Sequence, residues 1–383
     1  MHTMQMFLLR FLISNHIQNK ENQMTTPLNL GFVGMGTQAA TNYSHMLTWL
    51  GKGNYNGVNV SSIYHPEGKY EDGKFGGWGG NQDNDDLPKS INNRNLRVFR
   101  DRDEFLSQPL DAVVVQSPTE FHADMIVAAR GKGKKVITEK PLASNRQQLA
   151  AILKAEQEAT SGFTSPLACI RVWEPYSIIP DLIRSEQLGK IQHARFYRHT
   201  SIPTAQHFKR LGTGGVILDL GFHDMDLLYY HFGLPSLVNA CSMSIPSTDE
   251  PSKHISTHST ISMAYGDCNA FIEDGSAEVS VSWCHPEGRF EGGFEIVCEN
   301  GALRFRDWVL EIRKDGDEEW SKLDYEGDVL YESVIHAALD AVANNKPDDR
   351  LLLNSFAESH SVCLLYTSPS PRDQRGSRMP SSA

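Results

Sequence analysis

Lys140 is the residue in this sequence whose setting is best suited to chemistry. It stands between Glu139 and Pro141, directly after the β-branched run at residues 136–138. Lysine is rarely buried without a partner, and proline ends a strand and stiffens the backbone beside it. If this strand belongs to a parallel sheet, its carboxyl end is the edge at which ligands bind. The sequence therefore predicts a functional lysine at the mouth of a ligand site.

A second set of chemically capable residues is Asp219, His223 and Asp226. On a helix, Asp219 and His223 are four residues apart and share one face, and Asp226 could orient His223 from the other side. The ordinary pKa of histidine lies close to neutrality, which suits proton transfer. The spacing alone fits a helix cap at Asp219 and a hydrogen-bonded core histidine at His223 equally well. Both interpretations stay open on spacing alone.

A phosphate-binding turn is predicted where the strand at residues 28–33 runs into a helix. The turn reads G-x-G-x-x-A in a strand–turn–helix setting. Its first glycine permits a tight turn, its second lets a pyrophosphate approach the backbone, and the alanine allows close packing of helix on strand. The helix N-terminus faces the phosphate charge. The predicted cofactor contacts of this turn are Gly34, Gly36, Thr37, Gln38 and Ala39.

The choice between NAD and NADP stays open in the sequence. An acidic residue at the end of the second strand, residues 58–64, would bind the ribose of NAD. His65 stands in that place and Glu67 lies two residues further on. His65 with Lys69 would suit a 2′-phosphate as well as Glu67 would suit a ribose hydroxyl. The Gly- and Asn-rich loop at residues 66–95 is interpreted either as part of a lid or as a surface insertion.

The order of predicted elements indicates an α/β fold. Strands alternate with helices through the first half, which predicts an N-terminal doubly wound parallel sheet of the Rossmann type. A helix is expected at residues 176–185. From residue 237 onward, stretches of period two predict a C-terminal α/β domain with a large open, mainly antiparallel sheet. Its strands are expected at residues 237–242, 257–264, 270–272, 277–283, 293–298 and 302–305, with a helix at 330–344.

Three segments resemble the glucose–fructose oxidoreductase / inositol dehydrogenase (Gfo/Idh/MocA) family. Residues 111–122 read D-A-V-V-V-x-S-P-T-x-x-H, and residues 133–143 read G-K-x-V-x-x-E-K-P-L-A. Residues 214–226 read G-G-x-x-x-D-x-G-x-H-x-x-D. The resemblance covers nearly all of residues 28–361 and favours a catalytic role for Asp219 and His223.

The resemblance implies an oxidoreductase that transfers a hydride between NAD or NADP and a secondary alcohol of a sugar, cyclitol or related polyol. His223 would take the hydroxyl proton, Lys140 would stabilise the alkoxide, and Asp219 would orient His223 or hold a substrate hydroxyl. Two alternatives are an NAD-dependent glycosidase that works by transient oxidation and a non-catalytic cofactor-binding sensor. Further cofactor contacts are expected at His65, Ser117, Pro118, Thr119, His122, Glu139, Lys140 and Arg171.

The composition of the chain excludes several classes of binding partner. A net charge of -11 argues against nucleic acid and anionic lipid, and no stretch approaches the ~20 apolar residues that span a bilayer. The six cysteines show no C-x-x-C and no metal-ligand spacing, so no metal is expected and a reduced, cytoplasmic protein is the default. A sugar or polyol is the predicted small-molecule partner, and the resemblance implies a homo-oligomer, either a dimer or a tetramer.

Both ends of the sequence are predicted to be foreign to the protein. Residues 1–23 are interpreted as an over-extended reading frame ahead of a start at Met24. Residues 363–383 can be encoded by the adapter of a transposase-based sequencing library, which predicts truncation near Val362. The expected domains are a cofactor domain at residues 24–145 and a substrate and oligomerisation domain at residues 146–362.

Overall fold

The computed structural model describes residues 27–49, 57–68, 96–203, 206–266, 271–286, 289–325 and 330–366. The predictions about residues 1–23, about a start at Met24 and about residues 69–95 lie outside the described residues. So do those about Lys69 and about the sequence from residue 367 onward.

The first half of the chain forms the predicted parallel sheet. Its six strands lie in the order β3-β2-β1-β4-β5-β6, and every neighbouring pair is parallel. The central strand β4 is apolar and fully buried, as expected for a strand covered on both faces. β6 lies beyond residue 145, so the predicted domain boundary falls short of the last strand of this sheet. The strands are β1 Leu28–Val33, β2 Val58–Tyr64, β3 Arg97–Phe99, β4 Ala112–Val115, β5 Lys135–Thr138 and β6 Thr164–Pro166.

Helices connect these strands as in a doubly wound fold. The turn after β1 leads into α1, Thr37–Thr48. The side chain of Asp101 accepts a hydrogen bond from the Glu104 amide and so caps the short helix α2, Arg102–Leu106. Asn145 caps the longer helix α4, Arg146–Glu158, in the same way. Between them, α3 spans His122–Gly131 and leads into β5.

The second half forms an eight-stranded sheet in the order β14-β13-β12-β11-β7-β10-β9-β8. Neighbours are antiparallel except β7 and β10, which confirms a mainly antiparallel sheet. Residues 270–272 were expected to form a strand, but Phe271 and Ile272 lie in a loop. Three strands follow the Asn300-Gly301 turn, where only the one at residues 302–305 was expected. The strands are β7 Ile191–His199, β8 Leu237–Pro246, β9 His254–Ala264, β10 Ser276–Ser282, β11 Glu291–Cys298, β12 Gly301–Arg306, β13 Val309–Lys314 and β14 Ser321–Leu323.

Three short helices follow the last strand of the parallel sheet and precede β7 along the chain. The predicted helix at residues 176–185 is broken: α6, Glu174–Ser177, ends before Pro180, and α7, Ile179–Ser185, begins with that proline in its first turn. α5, Cys169–Val172, precedes them. The C-terminal helices are α9, Leu330–Asn344, and α10, Leu353–Tyr366, in which Cys363 is buried.

The segment that carries Asp219 and His223 is not one regular helix. Residues Ile217–Gly221 form a π-helical turn, and α8 then runs from Phe222 to Phe232. Gly214 and Gly215 precede it with φ values of 75° and 64°. A Cβ on Gly215 would lie 2.7 Å from a backbone oxygen of strand β9, so this approach needs a glycine. π-helical turns are frequent at functional sites.

Candidate active site

The predicted phosphate-binding turn has the expected shape. Gly34 has φ = 77°, and a Cβ there would lie 3.3 Å from the Ser117 backbone. Gly36 is the N-cap of α1, and a Cβ there would meet nothing within 4 Å. No side chain caps α1 and no acidic residue lies in its first turn, so an anion can bind the backbone N–H groups. Ala39 is buried beneath the turn, as close packing requires.

Polar atoms on the floor of the cleft fit a bound dinucleotide. Among the described side chains, Gln116 Nε2 and Ser117 Oγ are buried without a hydrogen-bond partner, and both residues line the cleft. Asn42 of α1 donates to Gln116 Oε1 at 3.0 Å and to Glu139 Oε1 at 2.7 Å. Buried polar atoms usually find partners, so the two that lack one mark positions where polar atoms of a ligand would bind. The predicted residues Gln38, Pro118 and Thr119 line the same cleft; Thr37 starts α1.

The end of β2 faces the far side of the cleft. His65 and Glu67 both line it, and the backbone N–H of Glu67 donates to His65 Nδ1 at 3.2 Å. Arg102 at the start of α2 lines the cleft as well. Arg102 was not predicted from the sequence, because it lies 35 positions after Glu67. A carboxylate and a cation therefore stand in the same cleft, one suited to a ribose hydroxyl and the other to a phosphate.

His122 holds the backbone around the cleft. Its Nδ1 lies 2.8 Å from the Pro141 carbonyl oxygen and its Nε2 lies 2.7 Å from the Ser117 carbonyl oxygen. Burial lowers the pKa of His122 below its ordinary value. Because both ring nitrogens face carbonyl groups, His122 positions the two strand ends. It also lines the cleft, and its predicted contact with the cofactor stays a prediction.

Lys140 meets Asp219 across the cleft. Lys140 Nζ donates to the Asp219 backbone oxygen at 2.7 Å and lies 3.3 Å from Asp219 Oδ1. Trp283 Nε1 donates to Asp219 Oδ2 at 3.3 Å. Lys140 therefore lies against one oxygen of the Asp219 carboxylate, and Trp283 donates to the other. In the described part of the chain, this carboxylate makes no hydrogen bond with His223. These two side chains do not form the direct contact by which Asp219 was predicted to orient His223.

His223 is partly buried and lines the same part of the cleft. Its Nδ1 lies 3.7 Å from Cys169 Sγ. Burial, together with the charges of Lys140 and Arg198, lowers the pKa of His223 well below 6.5. Burial also raises the pKa of the Cys169 thiol to about 12, so Cys169 is protonated. A neutral imidazole at neutral pH is the form that can accept a proton.

Two buried ion pairs fix α8, and one of them places Arg171 away from its predicted position at the cofactor. Arg171 was expected at the cofactor, but its guanidinium is fully buried, donates twice to Asp226 and is absent from the lining of the cleft. For the same reason Asp226 does not orient His223. Arg198 of β7 pairs with Asp224 at 2.9 and 3.0 Å. Paired, hydrogen-bonded charges of this kind hold α8 in one position.

The cleft is large enough for a dinucleotide and a second ligand. Its volume is about 1660 Å³, well above the upper range of about 1,000 Å³ for a pocket that holds one small molecule. The carboxyl ends of β1, β2, β4 and β5 form one wall. The opposite wall is largely aromatic and comes from the second half of the chain. Its side chains are Trp173, Tyr176, Phe290, Phe305, Trp308 and Tyr331.

Two family models match the chain. Residues 80–164 match the oxidoreductase family, NAD-binding Rossmann fold, and residues 177–304 match the GFO/IDH/MocA C-terminal domain. Together they cover more than half of the chain. They divide it much as the two sheets do.

Curated relatives include inositol dehydrogenases. The scyllo-inositol 2-dehydrogenase (NAD(+)) of Bacillus subtilis is 32% identical over 133 residues, which is 34% of this chain and 38% of the relative. The scyllo-inositol 2-dehydrogenase (NADP(+)) IolW of the same organism is 26% identical over 58% of this chain and 61% of its own length. The chain thus spans about two-fifths of the first relative.

Solved structures share the whole fold. Levoglucosan dehydrogenase in complex with NADH and levoglucosan has a TM-score of 0.73 and 16% identity, covering 93% of this chain and 100% of its own. GenD2 from gentamicin A biosynthesis in complex with NAD has a TM-score of 0.71 and 18% identity, covering 95% and 99%. At these identities the likeness shows the two-sheet architecture.

Proposed function

Because the chain belongs to the GFO/IDH/MocA oxidoreductase family, we propose that it transfers a hydride between NAD or NADP and a secondary alcohol of a sugar, cyclitol or related polyol. One observation carries the proposal: Lys140, Asp219 and His223 line the same cleft as the glycine turn. Bound NAD(P)⁺ would supply the hydride acceptor, held by Gly34, Gly36 and the α1 N-terminus.

The chain's own residues divide the remaining work. His223 would take the hydroxyl proton at Nε2, since Nδ1 faces Cys169. Lys140 would stabilise the alkoxide by its charge, at a place where most bulk water is excluded. Asp219 would hold the Lys140 ammonium group in place and accept a hydrogen bond from a substrate hydroxyl. The aromatic wall of the cleft would then position the carbon skeleton of the substrate.

The wider organisation belongs to the same proposal. The cofactor domain would extend through β6, and the substrate domain would follow it. The outward face of the eight-stranded sheet bears Arg195 and Tyr197 on β7, and Leu237 and the 64% exposed Met243 on the edge strand β8. This face would associate with a second copy. Sedimentation analysis tests this: a dimer or tetramer is expected, and Met243→Lys should weaken it.

No described helix is long and apolar enough to cross a membrane; the five described cysteines are free, which supports a cytoplasmic location.

The deciding experiment is a substrate panel. Cyclitols, aldopyranoses and open-chain polyols are each assayed with NAD⁺ and with NADP⁺, and the absorbance of the reduced nicotinamide is followed. Substrate-dependent reduction with at least one pairing is expected. Oxidation of none of the panel, together with tight binding of either dinucleotide, would favour a sensor. Release of free sugar from glycosides without net reduction would favour a glycosidase.

A further inference from the structure

An unusual turn projects Trp308 into the cleft. β12 and β13 are joined by Asp307 and Trp308, which have φ values of 51° and 64°. Positive φ at both central residues is typical of the type I′ hairpin turn, where Asn-Gly and Asp-Gly pairs are favoured. The first position holds a favoured Asp. The second holds tryptophan, a bulky residue for which positive φ is a genuine outlier.

The surrounding structure holds this strained turn in place. Tyr325 Oη donates to the Trp308 carbonyl oxygen at 2.8 Å. The Trp308 ring lies 5.6 Å from the Trp173 ring and 6.3 Å from the Phe305 ring, measured between centroids. Even so, the side chain is 53% exposed. Strain of this kind is found where a function needs it, and a half-exposed indole contributes less to the core than a buried one.

The position of Trp308 indicates what that function is. Its ring lines the cleft that also holds Lys140 and His223. It extends the aromatic surface that Trp173 and Tyr176 begin, whose rings are stacked at 5.2 Å. Among the described side chains from the second half of the chain that line the cleft, the cations Arg198 and Arg210 are paired with Asp224 and Glu120. The wall therefore offers flat π surface with its charge compensated, which does not favour an anionic substrate.

We propose that Trp308 is an aromatic platform for the substrate ring, and that the enzyme consequently takes a cyclic polyol or pyranose in preference to an open-chain polyol. This inference rests on the proposed function. One face of such a ring presents C–H bonds of slight positive charge, and the face of an indole is negative. A rigid ring stacks with little loss of conformational freedom, whereas an open-chain polyol must be ordered first.

Three variants test the platform. Trp308→Ala and Trp308→Gly both remove the indole. Trp320→Ala is the control, because Trp320 packs over Arg304 on the same sheet and does not line the cleft. For a cyclitol and an aldopyranose, both Trp308 variants should raise KM on the order of tenfold, with a smaller effect on an open-chain hexitol. Trp320→Ala should leave KM unchanged for the ring substrates and for the open-chain hexitol.

A melting experiment separates the platform from a structural role. Trp308→Gly should melt at a higher temperature than Trp308→Ala, because only glycine relieves the positive φ. An unchanged KM for ring substrates in both variants would overturn the inference, as would a wild-type preference for the hexitol. If the wild-type protein oxidises nothing, the proposed function fails separately. Calorimetric binding of the same ring compounds to wild type and Trp308→Ala, with dinucleotide present, then decides the platform: weaker binding to the variant supports it and equal binding refutes it.

Discussion

At the scale of single residues, the compact charge of Lys140 is the property that the proposed chemistry needs. Lys140 Nζ reaches Asp219 from the end of β5, and an ammonium there would face the oxygen on which negative charge develops. Lys140→Met should lower kcat for polyol oxidation by about 10²- to 10³-fold. Lys140→Arg should rescue little, because a planar guanidinium cannot occupy the same point. Steady-state kinetics would show this, with the exposed Lys154→Met as a control; nearly full activity in Lys140→Met would exclude the role.

His223 makes a prediction about pH. A general base works when it is deprotonated, so activity falls as the pH drops through its pKa. Because burial and neighbouring charges lower the pKa of His223, the acid limb of kcat/KM for oxidation should lie below pH 6.5. His223→Gln should lose the limb and about 10²- to 10⁴-fold of activity, while His193→Gln on the outer face of the sheet should retain both. A limb at or above pH 6.5 in the wild type would contradict the assignment.

Residue types and spacing predicted part of this site. Lys140 and the glycine turn could be recognised because each follows a strand whose hydrophobic run is clear. Arg198 was missed, although β7 gave a signal: its alternation places a charged residue on the buried face. Trp283, which contacts Asp219, and Tyr331, which lines the cleft, gave none, since they come from parts of the chain distant in the sequence. Arg171 was misplaced because its position before Pro175 does not reveal which way the side chain points.

At the scale of elements, the regular parts of the fold followed from pattern and the irregular parts did not. Strands such as β4 and β9 have the composition or alternation that defines them. β14 has three residues and little apolar character, so no periodicity marks it. The π-helical turn at Asp219 was also hidden, because a π-helical turn and an α-helix share nearly the same sequence preferences. That turn depends on the packing of α8, which buried charges determine.

The pair between Arg171 and Asp226 should therefore be a main determinant of stability. It joins α5 to α8, and Arg171 also donates to Ser355 Oγ of α10 at 2.8 Å. Asp226→Asn leaves a buried guanidinium without its counter-charge, which should cost about 3–5 kcal/mol in the free energy of unfolding. Asp181→Asn breaks an exposed pair with Arg184 and should cost under about 1 kcal/mol. Urea unfolding of both variants measures the contrast; equal and small losses would show that the buried pair does not determine the position of α8.

At the scale of the whole molecule, the C-terminal helices join the two sheets. α9 packs on α1, where Trp49 Nε1 donates to Asp340 Oδ1 at 3.1 Å. α10 reaches the segment just after Lys140, because His360 Nε2 donates to the Ala143 carbonyl oxygen at 2.8 Å. Helices from the second half thus support both α1 and the segment beside Lys140. The candidate site therefore depends on packing between the two halves of the fold.

His360 should make that packing sensitive to acid. It is fully buried, its Nδ1 has no hydrogen-bond partner, and burial lowers its pKa to about 4. Above pH 6.5 the imidazole is neutral in both folded and unfolded chains and contributes no pH dependence. Below it the unfolded chain binds the proton first, so stability should fall by on the order of 3 kcal/mol between pH 6.5 and about pH 4.

The variant His360→Gln isolates this contribution from the other acid-sensitive groups. Glutamine keeps an N–H donor for the Ala143 carbonyl oxygen but does not titrate. Urea unfolding at a series of pH values should give the wild type a steeper fall below pH 6.5 than the variant, even if the variant is less stable at neutral pH. Parallel curves would show that protonation of His360 does not open the junction between α10 and the segment just after Lys140.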